Sequence, residues 1–418
     1  MFSTKSFRYS TTKYFLALFF FLLCTPTQLL AQISDTHWVT TWSASPSSLP
    51  TQGPSSDAAS QATEEFNQQT LRQIIHSSAG GNHLRIRLSN VHGNKPLEIG
   101  AANIALQINN DEIDDKSLRD LTFGQQKSVI IPRGAVAFSD PVEMAVPQLS
   151  NLSVSLYLPK ATGPSTHHRN ANQQSWLANG NQAQSKKMTD AKAIASWHYL
   201  VAVDVLSSDK ISTIVTVGDS ITDGYGSTID SNNRWPNHLA KRLSDSRGNL
   251  RFAVSNAGIS GNRVLSEQLP FFGENLQARF ERDVLALSGV SHIVVLEGIN
   301  DIGMASRLDK KIAPEELIAG YRQIIARAHA RNIKVIGATL LPYQGAAYYS
   351  EEGEETRLAV NEWIRNSGEY DGVIDFEKAT RDPQNPQSMR EAITSDNLHP
   401  NDMGYKDMAE IIELSLFE

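Results

Sequence analysis

The sequence predicts two regions: a β-rich, sandwich-like one over residues 32–205, then an α/β one over 206–418 built on a parallel sheet with helices on both faces. Three observations carry this. Short period-two runs separated by turn residues fill the first region. In the second, apolar runs of the buried-strand kind alternate with amphipathic helical patterns. The chain has 418 residues, of which 40% are hydrophobic and 20% charged, enough for more than one core and far from a disordered or fibrous composition.

Residues 1–31 read as a signal peptide. Lys5, Arg8 and Lys13 give a positive start, and residues 14–24 (YFLALFFFLLC) form the apolar segment. Thr25-Pro26-Thr27-Gln28 breaks it, and Leu29-Leu30-Ala31 precedes the expected cleavage point. The run is shorter than the ~20 apolar residues of a bilayer-spanning helix, which disfavours an uncleaved anchor. Leu23 is bulky where a lipoprotein signal has a small residue before its cysteine. The expectation is a secreted or periplasmic protein with no stable membrane span after processing. Processing takes three cations from 38, leaving 35 against 45 acids and a net charge of −10. It also removes the only cysteine, and with it any disulfide, thiol nucleophile or cysteine metal site. The acidity argues against a nucleic-acid partner.

In the β-rich region Leu84-Arg85-Ile86-Arg87-Leu88 alternates cleanly, and Val129-Ile130-Ile131 and residues 152–158 are two more strands. Gly80-Gly81-Asn82, Gly93-Asn94 and Pro132-Arg133-Gly134 supply turns. Residues 44–64 and 161–187, small and polar, read as loops or extended arms. After residue 210, strands are expected at 213–217, 251–254, 292–296, 334–339 and 373–376. Helices are expected at 235–246, 276–287, 314–331, 355–367 and 403–416. The helix at 314–331 opens on Pro314 with Glu315 and Glu316 and holds Arg327 and Arg331 late, which suits its dipole.

Ligands of open parallel sheets bind beyond the carboxyl ends of the strands. The first strand is followed by Gly218-Asp219-Ser220-Ile221-Thr222-Asp223-Gly224 and the second by Asn256-Ala257-Gly258-Ile259-Ser260-Gly261-Asn262. The third is followed by Gly298-Ile299-Asn300-Asp301-Ile302-Gly303, and Asp396-Asn397-Leu398-His399-Pro400 precedes the last helix. These residue types suit acyl transfer. A serine hydroxyl needs a base, and an imidazole titrating near neutrality, here His399, is a suitable one. Asp396, three residues earlier, would accept the other ring N–H and fix the tautomer. The developing oxyanion needs preorganised donors, and the Gly261 N–H, the Asn300 amide and the Ser220 N–H are the candidates.

The four blocks resemble those of the SGNH (GDSL) hydrolase superfamily. Ser220 matches its nucleophile, Gly261 the glycine of the second block, Asn300 the asparagine of Gly-x-Asn-Asp, and Asp396 with His399 the Asp-x-x-His pair. Ile221 departs from the family's frequent leucine, a change expected to be silent. The resemblance covers about residues 210–418. It implies a flavodoxin-like three-layer fold and hydrolysis of carboxylic esters with no metal and no cofactor. The region before 205 resembles the accessory region of some secreted members, with no functional residue carried over. The expected substrate is an acylated carbohydrate or a lipid-like small molecule, short acyl groups on sugar being favoured over lysophospholipase, lipase-like or arylesterase activity. From other classes, a catalytically silent carbohydrate-binding protein and a polysaccharide acyltransferase remain as alternatives.

Other residues have quieter readings. Asp219 and Asp223 read as turn or capping residues, Asp301 as a loop holder, and Glu297 as buried in a local hydrogen bond. His238, His292 and His329 read as packing or surface residues. Residues 223–228 lack the Gly-Lys-Ser/Thr of a phosphate loop, and residues 230–233 lack the spaced carboxylates of a calcium loop. Adjacent His167 and His168 rarely share one ion. Tyr343 and Gln344 after the fourth strand, with Phe271 and Phe272, are candidate pocket residues.

Overall fold

Five strands, mostly buried, form the sheet of the second region: Ser212–Gly218, Phe252–Gly258, Val290–Leu296, Lys334–Ala338 and Gly372–Ile374. Buried on both faces, such strands have no need of alternation, which is why they read as continuous apolar runs. In this computed structural model the described residues are 1–4, 6, 37–48, 65–207, 211–246, 252–267, 270–308 and 310–418. Nearly all of the expected signal peptide, and residues 49–64 of the expected arm, lie outside them.

All neighbours in this sheet are parallel, and the spatial order is second, first, third, fourth, fifth. The reversal of direction falls between the Ser212–Gly218 strand and its two neighbours, where open parallel sheets place their sites. Helices Trp235–Asp245 and Asp402–Glu410 pack on each other, as do Pro314–His329 and Glu351–Asn366, and both pairs contribute to one core with the sheet.

The expected helix at 276–287 divides into an α-helical turn, Leu276–Phe280, and a π-helical stretch, Glu281–Leu285. The wider stretch keeps Phe280, Val284 and Leu285 in the core beside a fully buried Arg279. The helix expected from 355 starts at Glu351, where the Ser350 hydroxyl accepts from the Gly353 N–H and acids fill the first turn. The last helix stops at Glu410, and a 3-10 turn, Leu414–Phe417, follows.

The β-rich region is two antiparallel sheets sharing one core. One joins His37–Ser43, Leu200–Ser207, Gly81–Ser89 and Val142–Val146; the other joins Ser175–Asn179, Gln69–His76, Asn151–Leu158 and Ala101–Asn109. Val39, Ile86 and Val203 from the first meet Leu71, Ile104 and Val154 from the second. The expected arm at 161–187 is therefore partly strand. Its polar composition serves the buried Arg72, whose guanidinium donates to the Ser185 carbonyl (2.7 Å) and to those of Gln182 and Ala183. A cation in a core must be surrounded by acceptors, and that requirement imitates loop composition.

Residues 35–418 form one compact unit. Strand His37–Ser43 packs against strand Phe252–Gly258. Ser43 Oγ donates to the Asn256 carbonyl (3.0 Å), Ser45 Oγ to that of Ala257 (3.3 Å), and the Val254 N–H donates to Ser78 Oγ (2.9 Å). Among the described residues no helix is long and apolar enough to cross a membrane.

Candidate active site

Ser220 opens a single helical turn, Ser220–Asp223, at the end of the central strand. Asp219 caps it, its Oδ1 accepting from the Ile221 N–H at 2.9 Å. The first N–H groups of a helix have no intrahelical acceptor, so the Ser220 N–H is left to the site. Burial pushes the Asp219 carboxyl up to about 7, with Asp301 and Asp223 adding and the Ile221 N–H and His399 pulling down.

Ser220 Oγ lies 2.8 Å from His399 Nε2, and His399 Nδ1 lies 2.7 Å from Asp396 Oδ2. Asp396 Oδ1 accepts from the N–H groups of Leu398 (3.0 Å) and His399 (2.8 Å), so one carboxylate shapes the loop and orients the ring. Partial burial works to raise the Asp396 carboxyl. The His399 ring and these N–H groups outweigh it and hold the carboxyl well below the usual carboxylate range. The half-exposed Tyr225 ring lies over His399, 4.5 Å between centroids, with its carbonyl accepting from Tyr405 Oη (2.6 Å).

The second loop turns at residues 259–262, closed by the Asn262 N–H on the Ile259 carbonyl at 3.0 Å. Gly261 takes φ +81°, as the third position of such a turn requires, and any β-carbon there would collide with the Phe272 ring. Asn300 stands in the first turn of helix Ile299–Ser306. Its Nδ2 donates to the Asn262 carbonyl at 3.1 Å, leaving a second N–H, and its Oδ1 accepts from Tyr348 Oη at 3.2 Å. Tyr348 thus fixes which way the amide faces.

The loops are tied from beneath. Arg279 is fully buried, and its Nε donates to Asn262 Oδ1 (2.9 Å) while its Nη1 donates to the Ala257 carbonyl (2.7 Å). Asn262 Nδ2 in turn reaches the carbonyls of Phe272 (2.6 Å) and Glu274 (2.8 Å). Asp301 accepts from the N–H groups of Val264 (2.8 Å) and Leu265 (2.9 Å), and burial pushes it up to about 6.

Ser220, His399 and Asp396 therefore come together, and Gly261 and Asn300 join one bonded loop assembly beside them. Asp301 holds its loop, and His292 and His329 have packing and surface roles: His292 sits between the rings of Phe252 and Phe417, and His329 pairs with Asp371. Two expectations need correction, those for Tyr343 and Glu297. Tyr343 does not line an open pocket; it is fully buried against Tyr348 and Tyr349 because the chain turns inward after the fourth strand. Gln344, half-buried, accepts from Asn385 and Ser388. Glu297 makes no local side-chain hydrogen bond: its buried carboxylate lies 3.6 Å from Arg279 Nη2. Asp223, read as a loop or capping residue, is buried and holds the Ser260 loop, its carboxylate also reaching His168.

Tyr225, Tyr348 and Arg279 were not legible as site residues. For Tyr225 the available signal was an aromatic set between two glycines directly after the serine block, a poor place for a core residue. The other two sit in ordinary helix and loop patterns.

Residues 216–406 match a family of GDSL-like lipases and acylhydrolases. Comparison with curated proteins finds no match. Among solved structures, a GDSL-like lipase from Bacteroides thetaiotaomicron is 19% identical, over 49% of this chain and 88% of that one, with a TM-score of 0.37. The acetylxylan esterase Axe2 from Geobacillus stearothermophilus is 20% identical, over 49% and 95%, also at 0.37. The acetyl xylan esterase AlAXEase is 22% identical, over 47% and 96%, again at 0.37.

Proposed function

We propose that this protein, whose residues 216–406 match the GDSL-like lipase/acylhydrolase family, is a carboxylic ester hydrolase that removes short acyl groups such as acetyl from carbohydrate alcohols. The observation that carries the mechanism is the unbroken line from Ser220 Oγ through His399 to Asp396.

In this reading Ser220 Oγ attacks the ester carbonyl carbon as His399 Nε2 takes its proton. The N–H groups of Ser220 and Gly261 and the Asn300 amide hold the oxyanion. Collapse of the tetrahedral intermediate breaks the ester C–O bond, and His399 gives the proton to the departing alcohol. Water then attacks the acyl-enzyme with His399 as base, and the second collapse releases the acid and returns the proton to Ser220. Asp396, kept ionised, stabilises the imidazolium in both halves.

Two features support the substrate reading. Phe272 against Gly261 and Tyr348 behind Asn300 narrow the space beside the oxyanion donors, which favours a small acyl group. Tyr225 stands beside His399, the group that protonates the leaving alcohol, and offers an exposed aromatic face to a sugar ring. The test is a nitrophenyl ester series from acetate to decanoate, run beside acetylated xylan and a lysophospholipid. Highest kcat/KM on acetate with acetate released from xylan is expected; preference for long acyl chains or for the lysophospholipid overturns the substrate reading.

The basic start and apolar segment of residues 1–31 support export as part of the same proposal. Recovery of a chain lacking them from periplasm or medium is expected. Retention of the full-length chain in the cytoplasm overturns it.

A further inference from the structure

A buried polar chain that the reaction does not use directly runs from the β-rich region into the oxyanion loop. His168, in the short strand His167–His168, is buried, and its Nε2 lies 2.9 Å from Oδ1 of the buried Asp223. Its Nδ1 lies 2.9 Å from the Ser45 carbonyl oxygen. Asp223 ends the helical turn that Ser220 begins. Its other oxygen accepts from the Ser260 N–H (3.0 Å) and from Ser260 Oγ (2.6 Å), and Ser260 immediately precedes Gly261.

We propose that His168 is a positioning residue for the oxyanion hole: through Asp223 it holds the Ser260-Gly261 turn at the height where the Gly261 N–H meets the developing charge. The proposal rests on the reading of Gly261 as an oxyanion donor. Both ring nitrogens of His168 face oxygens that only accept, a carbonyl and a carboxylate, so both hydrogen bonds form only when both nitrogens carry protons. Burial alone would lower the His168 pKa; Asp223 and the Ser45 carbonyl outweigh burial and the opposing Arg234, and raise it. With His168 on Oδ1, the Asp223 carboxylate keeps Oδ2 for both Ser260 donors.

The β-rich region holds the same loops at two further points. Ser45 Oγ accepts from Arg279 Nη1 at 3.2 Å, and the Arg169 guanidinium lies 4.7 Å above the Phe271 ring, next to the Phe272 that packs on Gly261. The region that carries no part of the triad therefore sets the shape of the oxyanion loop.

The test is a double-mutant cycle on the full chain, with nitrophenyl acetate as substrate and an arylboronic acid as the tetrahedral mimic. His168→Gln and Ser260→Ala are each expected to lower kcat ~10-fold while KM stays within about twofold, since only transition-state binding is lost. Boronate affinity should weaken by the same factor. The double variant should be no worse than the worse single, because both cuts fall on one chain. Multiplicative losses, or a raised KM with kcat and boronate affinity unchanged, overturn the proposal. Should His168→Gln fail to fold, His168→Asn takes its place in the cycle: a kcat loss with weakened boronate that does not multiply with Ser260→Ala supports the linkage, and unchanged kcat or multiplicative losses overturn it. Ser220-dependent turnover of the parent chain is measured first, so failure of the esterase reading shows there and failure of this linkage shows only in the cycle.

Discussion

Asp396, Leu398 and His399 lie within four residues of one another and hold themselves in shape, in a loop whose carboxylate is partly exposed. Gly261 and Asn300 depend on Asn262, Arg279, Tyr348 and Asp223, residues drawn from separate elements and mostly buried. The Asp396–His399 pair is thus a local motif that the fold brings to Ser220, and the oxyanion arm is a property of the tertiary structure. The difference makes the first arm sensitive to changes at its own residues and the second sensitive to changes far from the chemistry.

The largest effects belong to the triad. Ser220→Ala should lower kcat on nitrophenyl acetate by about 10⁶-fold, as losses of the nucleophile do in serine hydrolases, and Asp396→Asn by about 10⁴-fold. Both should leave the melting temperature nearly unchanged, because Ser220 and Asp396 carry little of the core. A melting shift comparable to that of a core deletion would break the claim that the triad stands apart from the fold.

Next come changes to the oxyanion arm. Asn300→Ala should cost 10²–10³-fold in kcat, the range for removal of one oxyanion donor. Gly261→Ala should cost at least as much, since it adds a β-carbon at φ +81° and into the Phe272 ring. Pairing it with Phe272→Ala should recover part of the loss, measured as kcat/KM. No recovery would mean that backbone strain, not the ring, sets the cost. Tyr348→Phe leaves the Asn300 carbonyl oxygen without that donor and should lower kcat ~3–10-fold at unchanged KM.

The smallest expected change touches neither arm. His292 is held between Phe252 and Phe417, and burial lowers its pKa to about 4. The unfolded chain takes up this proton near pH 6.5, while the folded chain resists it until about pH 4. The neutral ring's contribution is therefore present above 6.5, falls as the pH drops toward 4, and levels off below. Over that window wild type should lose ~1–3 kcal/mol that His292→Phe does not, read from urea midpoints at pH 7.5 and 4.5. A kcat change in that variant at pH 7.5 would show the sheet and the site to be more tightly joined than the comparison allows.

The same contrast explains what could be read in advance. The triad, Gly261 and Asn300 announce themselves because each sits in a short block directly after a strand or before a helix. The strands of the parallel sheet announce themselves by uninterrupted apolar runs. The supports do not. Arg279 falls in a helical pattern where an arginine ordinarily faces water, and nothing local marks the π-helical stretch beside it. Of three tyrosines at 343, 348 and 349, only the path of the chain decides that Tyr348 reaches Asn300. The polar stretch 161–187 read as a loop because the cation it surrounds, Arg72, lies some ninety positions or more earlier in the chain. Long-range pairing of polar groups leaves no periodicity.

Strand Phe252–Gly258 is the outer member of the parallel sheet, and its open side is met by serines of the β-rich region. A trimmed chain starting near residue 211 would leave those backbone groups unpaired, a template for strand-to-strand aggregation. For anyone engineering this protein, the practical unit to express, graft or display therefore begins at the first β-strand, and the catalytic half is not a detachable cassette.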